Sequence, residues 1–94
     1  MEKAIVNKRS EILRIAASHG AENVRVFGSR AKGTASAGSD LDILVRLAPG
    51  RNLLDLVAIK QDLEDLLGCE VHVVTEGSIS PYLKEQILRE AVGL

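Results

Sequence analysis

Three amphipathic segments alternating with short β-branched runs predict an α/β (α+β) fold, a mixed β-sheet of about three strands packed against helices in the order α-β-β-α-β-α. Glycine and proline punctuate the segments at Gly20, Gly28, Pro49-Gly50, Gly68 and Pro81, which fixes where each element should stop or start. Ninety-four residues without a repeat or low-complexity tract suit a single domain spanning 1–94.

From Glu2 to His19, Ile5, Ile12, Ile15 and Ala16 recur at helical spacing between charged residues, and Gly20 ends this opening helix. Asn23 to Phe27 alternates and is β-branched, so it reads as a strand running into the turn Gly28-Ser29. Arg30 to Lys32 should start a short helical turn, and the small residues Gly33, Thr34, Ser36 and Gly38 make the stretch to Ser39 a loop. Leu41 to Leu47 has the apolar richness of a central strand. Leu53, Leu56, Ile59, Leu63, Leu66 and Leu67 mark a second amphipathic helix closed by Gly68, with Asp55, Asp62, Glu64 and Asp65 on its solvated face. Glu70 to Thr75 is the third strand. Ser80-Pro81 caps and opens a last helix whose Leu83, Ile87, Leu88 and Ala91 should face inward and whose Tyr82 should pack or cap.

Composition excludes several classes of function. With 12 basic and 13 acidic residues and a net charge of -1, the chain lacks the basic surplus of phosphate-backbone binders, so nucleic acid is an unlikely partner. Two aromatic residues, Phe27 and Tyr82, are too few for a base-stacking platform. No apolar run approaches the ~20 residues of a membrane span, and the N-terminus lacks a signal-peptide core, which points to the cytoplasm. The lone Cys69 reads as a semi-buried thiol. A chain of this size buries only about 60 to 65% of its unfolded surface, so a partner surface would help it.

The chemistry-bearing residues cluster between Gly28 and Asp42. Asp40 and Asp42, two apart at a strand start, project to one side with Cα atoms roughly 6.5 to 7 Å apart. Converging carboxylates repel unless a cation lies between them, and a hard divalent ion such as Mg²⁺, which keeps places for substrate phosphates, answers that need. An Asp-x-Asp pair alone is more often structural. Here Gly28 lets the main chain approach an anion, Ser29 adds a donor, and Arg30 or Lys32 supplies positive charge; Arg30 serves equally well as a structural ion-pair donor.

The runs Val26 to Gly33 (Val-Phe-Gly-Ser-Arg-Ala-Lys-Gly) and Ser39 to Val45 (Ser-Asp-Leu-Asp-Ile-Leu-Val) resemble the signature of the DNA polymerase β-like nucleotidyltransferase superfamily. Length and the tail Val74 to Ala91 are similar to its minimal nucleotidyltransferase (MNT) members, and the match covers most of the chain from Val24 onward. The resemblance implies a nucleotidyltransferase-like sheet, Gly28 and Ser29 on a nucleoside triphosphate, beside which the charge of Arg30 would help, Asp40 and Asp42 as metal ligands, and ATP as the substrate. It also implies a HEPN-domain toxin as partner, with AMP transferred to a tyrosine of that toxin.

One position departs from the pattern. The family's third carboxylate lies on the next strand, where this chain reads Val71-His72-Val73-Val74, so the third catalytic position is His72. Histidine is a poor ligand for Mg²⁺, and loss of the carboxylate should hurt the chemical step more than nucleotide binding. Three functional expectations follow: an AMP-transferring enzyme; a module that neutralises a toxin by complex formation; and a transition-metal site on Asp40, Asp42 and His72. Glu70, two residues before His72, is a weak candidate to lean in as substitute, because a strand offsets it by about 6.5 Å. His19 reads as a favourable contact at a helix end.

Overall fold

A computed structural model describes residues 2–33 and 40–94. The loop residues Thr34, Ser36, Gly38 and Ser39 of the sequence reading lie outside them. The elements run α1 (Lys3–Asn7), α2 (Arg9–Ser18), β1 (Ala21–Phe27), α3 (Ser29–Lys32), β2 (Leu41–Leu47), α4 (Leu53–Leu67), β3 (Val71–Thr75), a 3-10 turn (Glu76–Ser78), α5 (Pro81–Glu90) and β4 (Val92–Gly93). The α/β class and mixed sheet are as expected, with four strands in place of about three, in the order β3-β2-β1-β4. β1 pairs antiparallel with β2 and β4, while β2 pairs parallel with β3 across the α4 connection. Two residues between a helix and the chain's last residue give no periodicity, which is why β4 could not be read from sequence.

The core lies on one face of the sheet. Leu41, Ile43 and Val45 point to it from β2, meeting Val24 and Val26 from β1, Val71 from β3, Ile5 and Ile12 from α1 and α2, and Ile59 and Leu63 from α4. Alternation then sends Asp42, Leu44 and Arg46 of β2, and His72 of β3, to the opposite face, where Leu44 is fully buried, Asp42 is partly buried and His72 is exposed. The acidic residues at the strand start thus keep access to solvent.

Several expectations need correction. The opening helix is broken at Lys8, with neither glycine nor proline at the break, and Ile5 and Ile12 are both fully buried on its two sides. β1 starts two residues earlier than expected, at Ala21, and an irregularity between Glu22 and Arg25 places Asn23 at φ 51°, a conformation asparagine tolerates. α5 does not turn Leu83 and Leu88 inward: both are exposed, and the helix buries no residue, being tied to the rest of the fold at its C-terminal end by the Lys32-Glu90 ion pair and by β4. Tyr82 neither packs nor caps. It is 94% exposed, and Ser80 Oγ accepts from its amide.

Glu64 belongs to a clamp rather than to a solvated face. Its Oε2 accepts from Lys60 Nζ at 2.8 Å and from the Val71 amide at 3.0 Å, while Lys60 Nζ donates to the Val71 carbonyl at 2.9 Å. These bonds cover the outer edge of β3 at its start and fix it to α4. The Lys60 ammonium, then the Val71 amide, hold the Glu64 carboxyl below its usual 4.5. His19 sits at the end of α2 as expected, and its Nε2 pairs with Asp62 Oδ2 at 2.9 Å.

A depressed carboxylate contributes stability above its unfolded pKa and loses it as pH falls through the folded value. Glu64→Gln should therefore lower the urea midpoint at neutral pH, and the gap from wild type should close below pH 4.5. A gap unchanged by acid would contradict the clamp. Asn52 accepts from the Leu54 amide and forms a capping box with Asp55 at the start of α4, so Asn52→Ala should cost about 1 kcal/mol in the same titration.

Candidate active site

The site forms where β1 ends and β2 and β3 begin. Antiparallel pairing sets Phe27 opposite Asp42, and parallel pairing sets His72 beside Asp42 on the other flank. Asp42 is therefore held between the turn after β1 and the histidine of β3. Neighbouring strands lie about 4.8 Å apart, so both flanks are within side-chain reach.

Gly28 makes the approach on the β1 side possible. It sits at φ 76°, in the region that favours glycine, and a Cβ there would lie 2.6 Å from Asp42 Oδ2. The turn continues into the four-residue helix α3, ended by Gly33. The expected convergence of the Gly28-Ser29 turn with Asp42 is thus present in the backbone.

On the other flank, His72 Nε2 hydrogen-bonds Asp40 Oδ2 at 3.0 Å and lies 3.8 Å from Glu70 Oε1. The Asp40 hydrogen bond, and behind it the charges of Asp40, Glu70 and Asp42, raise the His72 pKa above the imidazole's usual 6.5. Burial raises the Asp42 pKa; the His72 charge opposes that shift and the Asp40 charge adds to it. When protonated, the imidazole supplies part of the positive charge that clustered carboxylates need. Glu70, a weak candidate on strand spacing alone, does reach the cluster: it precedes β3, where strand offset no longer dictates its side chain.

Asp40 and Asp42 form an oxygen pair whose chemistry suits Mg²⁺ shared with phosphate, whereas the His72 nitrogen does not suit that ion. Arg30 is turned inward from α3, its side chain 12% exposed, with Nη1 3.3 Å from Glu2 Oε1. Its buried Nε has no hydrogen-bond partner among the described residues. Lys32 pairs with Glu90 at 3.1 Å, so α3 is tied to both α1's approach and the end of α5. Neither acidic partner was signalled by sequence, since each lies far along the chain. Lys60 also escaped notice; its i,i+4 spacing to Glu64 was visible, but its proximity to Asp40 and Glu70 depends on the fold. A cavity of about 610 Å³ lined by Arg46, Thr75 and Glu76 lies at the far ends of β2 and β3, away from these groups.

The sequence profile of the nucleotidyltransferase domain matches residues 9–94. The chain is 46% identical over 84 residues to a Methanocaldococcus jannaschii protein named as a candidate protein adenylyltransferase, covering 89% of this chain and 90% of the relative. The backbone is similar to a solved structure described as a candidate minimal nucleotidyltransferase, with TM-score 0.88 and 48% identity over 98% of this chain and 94% of that one. It is also similar to a crystal structure of a toxin-antitoxin pair, MntA-HpeT, with TM-score 0.75 and 25% identity over 92% of this chain and 70% of the other.

Two measurements check the geometry. NMR titration of the His72 ring should give a pKa above 6.5 that falls in Asp40→Asn; no change would show that the hydrogen bond does not set the charge. Gly28→Ala forces a Cβ into both an unfavourable backbone region and Asp42, so it should lose at least the roughly 1–2 kcal/mol of the backbone cost alone in denaturant unfolding.

Proposed function

The chain belongs to the nucleotidyltransferase domain family, and from that premise we propose that it transfers AMP from ATP to a hydroxyl of a partner protein. The close approach of Gly28 to Asp42 carries the reading, because it sets the glycine-serine turn against one member of the Asp-x-Asp pair. Gly28, Ser29 and Arg30 bind the triphosphate, the turn offering main-chain and hydroxyl groups and the guanidinium offering charge. Asp40 and Asp42 hold a divalent cation, Mg²⁺ by their oxygen chemistry, which when bound neutralises charge on the triphosphate. The acceptor oxygen attacks the α-phosphorus in line, the bond to the bridging oxygen breaks, pyrophosphate leaves, and the acceptor proton is released. His72 governs the rate, standing where a carboxylate would assist that proton's departure.

The partner proposed is a HEPN-type toxin, which would make this chain the antitoxin. Its similarity to a member of a toxin-antitoxin pair supports this, as do the exposed Leu53, Leu54 and Val57 on α4 and Tyr82, Leu83 and Leu88 on α5, apolar side chains that a partner could cover. The protein adenylyltransferase name of the Methanocaldococcus relative supports the AMP transfer.

A second reading is favoured by one observation. His72 pairs with Asp40 in place of a third carboxylate, which suits a module that neutralises the toxin by complex formation alone. Incubation of the chain and a co-purified partner with ATP labelled at the α-phosphate distinguishes the two. Transfer by wild type, its loss in Asp42→Ala and an increase on the order of a hundred-fold, the lower end of what one acid-base group contributes, in His72→Asp are expected. Label appearing on the partner only with His72→Asp would favour the binding module.

A further inference from the structure

Asp40, Glu70 and His72 form a donor triangle that neither the phosphate turn nor the Asp-x-Asp pair requires. The Asp40 carboxylate precedes β2, the Glu70 carboxylate precedes β3, and the imidazole comes from β3 itself; one ligand atom from each lies within 4.8 Å of the others. Among the described residues this is the one such group of three, and Asp42 is not a member. The parallel register holds the backbone beneath it in shape, because the main-chain carbonyl of Glu70 accepts from the Leu41 amide at 2.9 Å and sets the starts of β2 and β3 side by side.

Distance and donor type together identify what would sit there. Metal-ligand bonds of about 2.0–2.2 Å place the ligand atoms of one ion roughly 3 to 4.4 Å apart. The separations of His72 Nε2 from Asp40 Oδ2, 3.0 Å, and from Glu70 Oε1, 3.8 Å, fall in that range without movement of the backbone. All three groups are exposed, which leaves room for water on the remaining coordination positions. One nitrogen with two carboxylate oxygens suits the borderline ions Mn²⁺ through Zn²⁺, whereas Mg²⁺ favours oxygen alone.

We propose that Asp40, Glu70 and His72 constitute a cation site of their own, which takes a divalent transition ion such as Mn²⁺ in preference to Mg²⁺. This chain thus departs from an all-oxygen centre: the residue that fails the Mg²⁺ fit test is the one that selects a different ion. Asp40 is shared with the Asp40-Asp42 pair, while Glu70 and His72 belong to the new site only.

The test uses Mn²⁺ alone, followed through the loss of its free-ion electron paramagnetic resonance signal as protein is added near pH 7.5, with folding monitored by circular dichroism. Wild type should bind Mn²⁺, and a large excess of Mg²⁺ should not release it. Glu70→Gln keeps side-chain size and His72→Asn removes the ligating ring nitrogen, and each should weaken binding by at least the roughly ten-fold that loss of a mere supporting residue costs a metal site. His72→Asp should still bind Mn²⁺ but release it to Mg²⁺. Mn²⁺ affinity unchanged in Glu70→Gln, or ready displacement by Mg²⁺ from wild type, would overturn the assignment. ATP binding by calorimetry is read alongside: Mn²⁺ binding as described without ATP binding would count against the transfer reading and leave the cation site standing.

Discussion

The site depends on one close approach. Gly28 passes so near Asp42 that a Cβ on it would lie 2.6 Å from the Asp42 carboxylate, and this contact joins the end of β1 to the start of β2. Pairing of Phe27 with Asp42 brings the two together, and the positive φ of Gly28 then turns the chain into α3 rather than onward along the strand. On the far side of Asp42, parallel pairing with β3 delivers His72. Three segments distant in sequence therefore meet across a width of three strands.

Much of this arrangement was legible before any coordinates. The Asp-x-Asp pair at a strand start, the glycine-serine turn and the run Leu41 to Leu47 state their geometry through period-two alternation and glycine chemistry, both local properties. α4 declared itself equally well, with Gly68 after it and apolar residues at helical spacing before that glycine, while its Asn52 cap emerges only in the structure. α5 was misread for a physical reason: amphipathic spacing says that a helix has an apolar face and does not say what covers it. Leu83 and Leu88 keep that face toward solvent. The break at Lys8 and the two-residue β4 are set by tertiary packing and carry no periodic signal of their own.

The side-chain network around the turn was also beyond sequence reasoning. Glu2 and Glu90 engage Arg30 and Lys32 from positions near opposite ends of the chain, and only the fold brings them together. Arg30 was open between phosphate contact and an ion pair; its Nη1 makes the ion pair, while its buried Nε has no partner among the described residues. Substitution of histidine for a third carboxylate is the chief chemical departure. The His72 imidazole now sits inside the acidic cluster, hydrogen-bonded to Asp40, and that contact favours its protonated form. Glu70 completes that cluster because it stands just outside the strand, where side-chain direction is no longer tied to the pleat.

A crystal structure of the chain with a non-hydrolysable ATP analogue and a divalent cation would test the central claim most directly. The account predicts the triphosphate against Gly28 and Ser29, with a cation joining it to Asp40 and Asp42. A nucleotide seated instead at the opposite ends of β2 and β3, in the cavity beside Arg46 and Thr75, would contradict it.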